Sequence, residues 1–196
     1  MFMKRNVVGT LCVMAMLAPL SVIPVYSASA QVFAQYFESA QNYLAQGQYS
    51  SAIVEFRKAL RINYMDNSAR IGLINAFLSR ATYYANQEKN YDKSANDFRS
   101  AIFYLKMYPA KDQAVANSSG MIASATENLN QCLKVTGFDR TPSARYKKAE
   151  ELRAMGNFSA AAYEFMKASE NSSLASDSNA QIADLMKLLG NEQKSG

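Results

Sequence analysis

The chain contains no histidine and no tryptophan, and only two cysteines, four prolines and eight glycines among 196 residues. Without histidine, any mechanism lacks the commonest general base and the commonest imidazole metal ligand. The cysteines are Cys12 and Cys132, and Cys12 lies in a segment expected to be removed, so no internal disulfide or thiolate metal site is expected. Cys132, flanked by Leu129, Leu133 and Val135, reads as a small buried hydrophobe, with pairing between chains as the alternative. A phosphate-cradling glycine loop, a nucleophile elbow and a metal-ligand cluster are all missing. Glu150 and Glu151 are adjacent carboxylates, but neighbours on a helix point about 100° apart and do not converge on one substrate. The expectation is a noncatalytic chain without cofactor or metal.

Scarce glycine and proline leave few breakers, and Ala, Leu, Gln, Lys, Glu and Met are plentiful, which favours helix. Apolar residues make up 49% of the chain, enough for one domain with a substantial core. The formal charge is +5, of which Lys4 and Arg5 supply two. Elsewhere cations alternate with acids, and Lys147 can meet Glu151 at i,i+4 spacing. Such a pattern describes a solvated helix face and gives no reason to expect nucleic acid.

Residues 1 to 30 have the layout of a secretory signal peptide. Lys4 and Arg5 form a positive start, residues 7 to 20 are apolar without a charge, and Pro24 precedes the small residues Ala28, Ser29 and Ala30. The cut is expected between Ala30 and Gln31, giving an exported protein in the periplasm or outside the cell. An uncleaved membrane anchor is the rival reading, because residues 7 to 26 are just long enough to span a bilayer. No later stretch is long and apolar enough to span, so the mature chain is not expected to cross a membrane.

Internal periodicity carries the strongest signal. Gly47, Tyr49, Ala52, Glu55, Phe56, Lys58 and Ala59 recur at identical offsets as Gly156, Phe158, Ala161, Glu164, Phe165, Lys167 and Ala168. A third copy keeps the spacing as Lys89, Tyr91, Ser94, Asp97, Phe98 and Ala101. A small residue, Phe four later and Ala three later share one helix face, and the small residues let a second helix approach closely. The glycine ahead of the aromatic ends the preceding helix and turns the chain back. Each copy predicts a helical hairpin.

This pattern resembles the tetratricopeptide repeat, with Tyr36 in place of the usual Trp, Ala40 and Ala149 in place of a Gly, and Tyr64 in place of the late Pro. The resemblance implies an all-α, right-handed α-solenoid over residues 31 to 190, with a C-terminal capping helix and a frayed tail from 191 to 196. Tyr49 and Tyr91 are 42 positions apart, against about 34 in the family, and residues 81 to 88 extend the pattern of Ile71, Ile74, Phe77 and Leu78. The second hairpin should therefore have a first helix longer by roughly two turns. A degenerate unit is expected at 110 to 138, with Met121, Ile122, Ala125, Leu129, Cys132 and Leu133 on one side and Gly137 as its stop; it forms one helix or two. Pro142 should open the next helix. Ile182, Leu185, Leu188 and Leu189 form the inward stripe of the capping helix, with Gly190 as its C-cap.

In function the resemblance implies protein-protein interaction, with a peptide or protein segment held in a concave groove lined by the first helix of each hairpin. Carried over residue by residue, the groove positions are Phe37, Gln41 and Leu44, then Ile71, Asn75 and Leu78, then Tyr146, Glu150 and Arg153. Phe37 and Gln41 stand where chaperone-tail receptors of the family carry a carboxylate clamp, which disfavours that ligand. Nine of the twelve tyrosines lie between Tyr36 and Tyr108. Tyr83 and Tyr84 fall in the inserted turns, outside the repeat pattern, and read either as an aromatic contact surface or as packing on an adjacent helix. The alternative function is that of a self-associating or fixed structural subunit of a cell-envelope assembly.

Overall fold

A computed structural model of the chain describes residues 26–107, 118–170 and 173–194. The apolar run of the leader, residues 7 to 20, and the start of the degenerate unit lie outside the described residues. The described residues form eight helices and no strand: α1 Tyr26–Ala45, α2 Tyr49–Ile62, α3 Asn67–Asn86, α4 Tyr91–Met107, α5 Ser118–Val135, α6 Pro142–Ala154, α7 Phe158–Ser169 and α8 Ala175–Lys194.

Hairpins form where the repeat places them: α1 packs on α2, α3 on α4, and α6 on α7. The repeated small-Phe-Ala positions are the inner faces of the second helices. Ala52, Phe56 and Ala59 are buried, as are Ser94, Phe98 and Ala101, and Ala161, Phe165 and Ala168. Each buried Phe contributes on the order of 1.5–3 kcal/mol of hydrophobic stabilisation. α3 spans 20 residues against 13 in α6, so the extra turns lengthen an existing helix.

The turns follow from backbone chemistry. Gly47, Gly137 and Gly156 have φ of +72°, +66° and +75°. In each case the next N–H closes back on a helix carbonyl: Gln48 to Tyr43 at 2.9 Å, Phe138 to Leu133 at 3.0 Å and Asn157 to Leu152 at 2.9 Å. These are Schellman caps, which use a left-handed residue to satisfy the last carbonyls. In the α3–α4 turn the equivalent position is Lys89, the one non-glycine residue with positive φ, +54°, among the described residues. Asp66 caps α3 by accepting from the Ala69 N–H at 2.8 Å, and Thr141 caps α6 with Pro142 in its first turn.

The hairpins do more than pack on their sequence neighbours. α1 and α3 touch, α2 packs on α3, and α5 packs on α4. α7 then lies on α4, and α8 packs on both α7 and α2. Three layers result: α1, α3 and α5; then α2 and α4; then α8 and α7, with α6 outside α7. α4 is enclosed on several sides, and every residue from Phe98 to Leu105 is buried.

Three details differ from expectation. α8 runs through Gly190 to Lys194, because Gly190 does not adopt the positive φ of the glycines that end α1, α5 and α6. Leu188 is 38% exposed, whereas Ser178 is fully buried, so the inward stripe of α8 is Ser178, Ile182, Leu185 and Leu189. Lys148, not Lys147, meets Glu151, at 3.2 Å and i,i+3 spacing. α5 buries Ala125, Leu129, Cys132 and Leu133 with Met121 and Ile122 at its margin, as the pattern predicts.

Candidate binding cleft

α3 and α5 flank a cleft floored by α4. Leu78 and Thr82 face it from α3, one turn apart, and Met121, Ser124 and Asn128 face it from α5, with Phe98 of α4 below; its volume is about 420 Å³. The cleft exists because the i,i+4 stripe of each flanking helix is inward while its neighbouring stripe remains open. A second cleft of about 400 Å³ shares Leu78 and Thr82 and continues to Tyr49, Tyr83, Asn86 and Gln87. The two adjoin along α3, and no charged residue lines either. Apolar walls accept side chains, while the hydroxyls and amides can donate to and accept from an extended backbone.

The tyrosines of the inserted turns stand at one end of this surface. Tyr83 is 44% exposed and lies 6.2 Å from the Tyr49 ring and 6.1 Å from the Tyr84 ring, centroid to centroid. Tyr84 is half-buried, with the Lys93 ammonium 5.0 Å and the Arg80 guanidinium 5.8 Å from its ring centroid. Tyr83 therefore offers an open ring, whereas Tyr84 is engaged by cations of its own hairpin.

The nine groove positions carried over from the repeat do not share one surface. Leu78 lines both clefts. Phe37 is half-buried, stacked on Phe33 at 5.8 Å and edge-on to Phe56 at 5.9 Å, so it belongs to the packing of the first hairpin. Leu44 and Ile71 are half-buried, and Gln41 and Asn75 are exposed. On α6, Tyr146 packs edge-on against Phe165 at 5.1 Å, Glu150 is exposed, and Arg153 donates to the Gln181 side chain of α8. α6 packs on α7 in the outermost layer, which separates its three positions from those of α1 and α3.

Sequence reasoning missed a buried ionic layer between α4 and α7. Glu164 is fully buried and accepts from Arg99 Nε at 2.5 Å and from Arg145 Nη1 at 2.8 Å. Both guanidiniums lie near the Phe138 ring, at 5.3 and 5.9 Å, and the Ser159 and Ser100 hydroxyls bond at 2.9 Å beside them. Nearby, Arg80 grips Asp97 with two bonds of 2.7 Å and also reaches the Ser50 hydroxyl at 3.0 Å. Burial raises the Asp97 carboxyl above its ordinary value, and the bonds to Arg80 only partly oppose this. Asp97 and Glu164 occupy the same repeat position as Glu55, which is only half-buried and pairs with Lys58. A repeated acid immediately before an inward Phe was the available signal, but it recurs in all three copies and does not tell which of them is enclosed.

Among the described residues no group of three or more His, Cys, Asp or Glu side chains is arranged to hold a metal, and no helix is long and apolar enough to cross a membrane. Comparison with protein-family models, with curated proteins and with solved structures gives no match.

Proposed function

We propose that the protein is an exported, noncatalytic scaffold of tetratricopeptide-type helical hairpins, an α-solenoid closed by its C-terminal helix, that holds a peptide or protein segment. The carrying observation is the pair of adjoining clefts along α3, uncharged and lined by apolar, amide and hydroxyl groups. That chemistry suits an extended segment whose side chains enter the Met121 and Phe98 region while its backbone meets Asn86, Gln87 and Asn128. Export is supported by the three-part leader, and the repeat-like offsets of Gly47, Phe56 and Ala59 with Gly156, Phe165 and Ala168 support the scaffold reading.

The test blocks the cleft without touching the core. Ser124 is exposed on the cleft wall, so Ser124→Arg fills the opening, and Glu150→Arg on α6 serves as the control. Envelope partners recovered with the wild-type chain should be lost with Ser124→Arg and kept with Glu150→Arg. Retention by both variants contradicts the cleft; a wild-type chain that recovers only itself, with concentration-dependent sedimentation, favours the self-associating subunit.

A further inference from the structure

We propose that the exported protein carries a cyclised N-terminus, pyroglutamate at Gln31. The inference rests on the export reading given above, because it requires the cut after Ala30.

In the structure α1 passes through the cut: Ala28, Ser29, Ala30, Gln31 and Val32 are all exposed, and from Ala28 onward the first α1 side chain packed against the core is Phe33. Removing the residues ahead of Gln31 therefore leaves the α1–α2 packing through Phe33, Phe37, Ala40 and Leu44 in place. Gln31 then becomes the first residue of a shortened α1, in water, with its α-amine and its side-chain carboxamide on the same residue.

The two groups react intramolecularly, where effective concentrations are high. The α-amine nitrogen attacks the carboxamide carbon Cδ, a new N–Cδ amide bond closes a five-membered lactam, and the Cδ–Nε2 bond breaks. The nitrogen that leaves takes up the proton given by the amine and departs as ammonia. No oxidant, reductant or cofactor enters, and loss of ammonia to solvent makes the step irreversible.

Helix electrostatics favour the product. A free α-ammonium at Gln31 would place a cation at the positive end of the α1 dipole, and the nearest acid along α1 is Glu38, about two turns away. The lactam is neutral and keeps one N–H. It also removes the free amine that an aminopeptidase requires from an N-terminus that the fold leaves exposed.

The experiment expresses the full chain in a host that exports it and takes the intact mass and N-terminal sequence of the processed protein at harvest. The expected product is residues 31 to 196 less one ammonia, lighter by about 17 Da, blocked to Edman degradation. Pyroglutamyl peptidase should then expose Val32 as the first readable residue. Gln31→Asn is the decisive variant: one methylene shorter, it would have to close a strained four-membered ring, so it should be cut at the same bond and keep a free amine. A wild-type chain beginning with readable Gln31 at harvest, blocked only after storage, overturns cyclisation while leaving export standing. A chain cut at another bond overturns cyclisation at Gln31 while leaving export standing, and an uncut chain retained inside the cell overturns both.

Discussion

Replacing Gly72 by alanine sets helix propensity against packing. In the interior of an exposed helix the change stabilises by about 1 kcal/mol. Gly72, however, lies in α3 where α3 crosses α2, and a Cβ there would sit 2.3 Å from both Cε1 and Cζ of Phe56 and 3.0 Å from its Cδ1. The Phe56 ring is 1% exposed and met edge-on by Phe37, so it has little room to swing aside. Overpacking of this kind costs about 1–3 kcal/mol, and a contact this short belongs at the upper end. After subtracting the propensity gain, the net loss is about 2 kcal/mol, a fall in melting temperature of roughly 4–8 °C for a domain of this size. Thermal and urea unfolding followed by circular dichroism measure it. Gly120→Ala is the internal comparison: nothing lies within 4 Å of its added Cβ, so the same substitution in α5 should raise stability by up to ~1 kcal/mol. Adding Phe56→Leu to Gly72→Ala should recover part of the loss. If Gly72→Ala is as stable as the wild type, the close approach of α2 and α3 is wrong.

Glu164→Gln leaves Arg99, 2% exposed, without its counter-charge and should cost about 3–5 kcal/mol in urea unfolding, whereas Glu164→Gln with Arg99→Met should recover most of it. Lys89→Gly relieves a left-handed residue in the α3–α4 turn and, after the greater freedom of glycine in the unfolded chain, should stabilise by about 0.5–1 kcal/mol. Tyr163 is pushed up to about 12 by burial and then by the Glu164 charge, against 10.0 ordinarily. The unfolded chain therefore loses this proton first, so its contribution is fully present below pH 10 and lost between 10 and 12, up to roughly 2–3 kcal/mol. Tyr163→Phe should flatten that alkaline limb of the stability profile.

The hairpins were legible because their determinants are local. Gly47 and Gly156 mark left-handed caps, and the alternation of Ala52, Phe56 and Ala59 records the face each second helix turns to its partner. Even Lys89, aligned with those glycines by spacing alone, takes their backbone conformation. The packing of α7 on α4 and of α8 on α2 was not legible, since it joins residues such as Arg99 and Glu164 that lie 65 positions apart. Periodicity reports which face of a helix is inward, not which distant helix covers the remainder. For the same reason the positions carried over from the repeat do not converge on one surface. Leu78 and Tyr83 line the clefts, but Met121, Ser124 and Asn128 come from the degenerate unit, where the repeat offers no position to carry over. Tyr146 and Arg153 were placed by an offset that assumes a regular stack, and in the fold they serve contacts to Phe165 and Gln181.

The most direct measurement places a photo-crosslinking amino acid at Thr82, where the two clefts meet, and separately at Glu150 on α6, in cells expressing the full chain. Holding a segment in the α3–α5 cleft predicts a discrete crosslinked partner from Thr82, abolished by Ser124→Arg, and none from Glu150. A partner captured from Glu150 and not from Thr82 would contradict it.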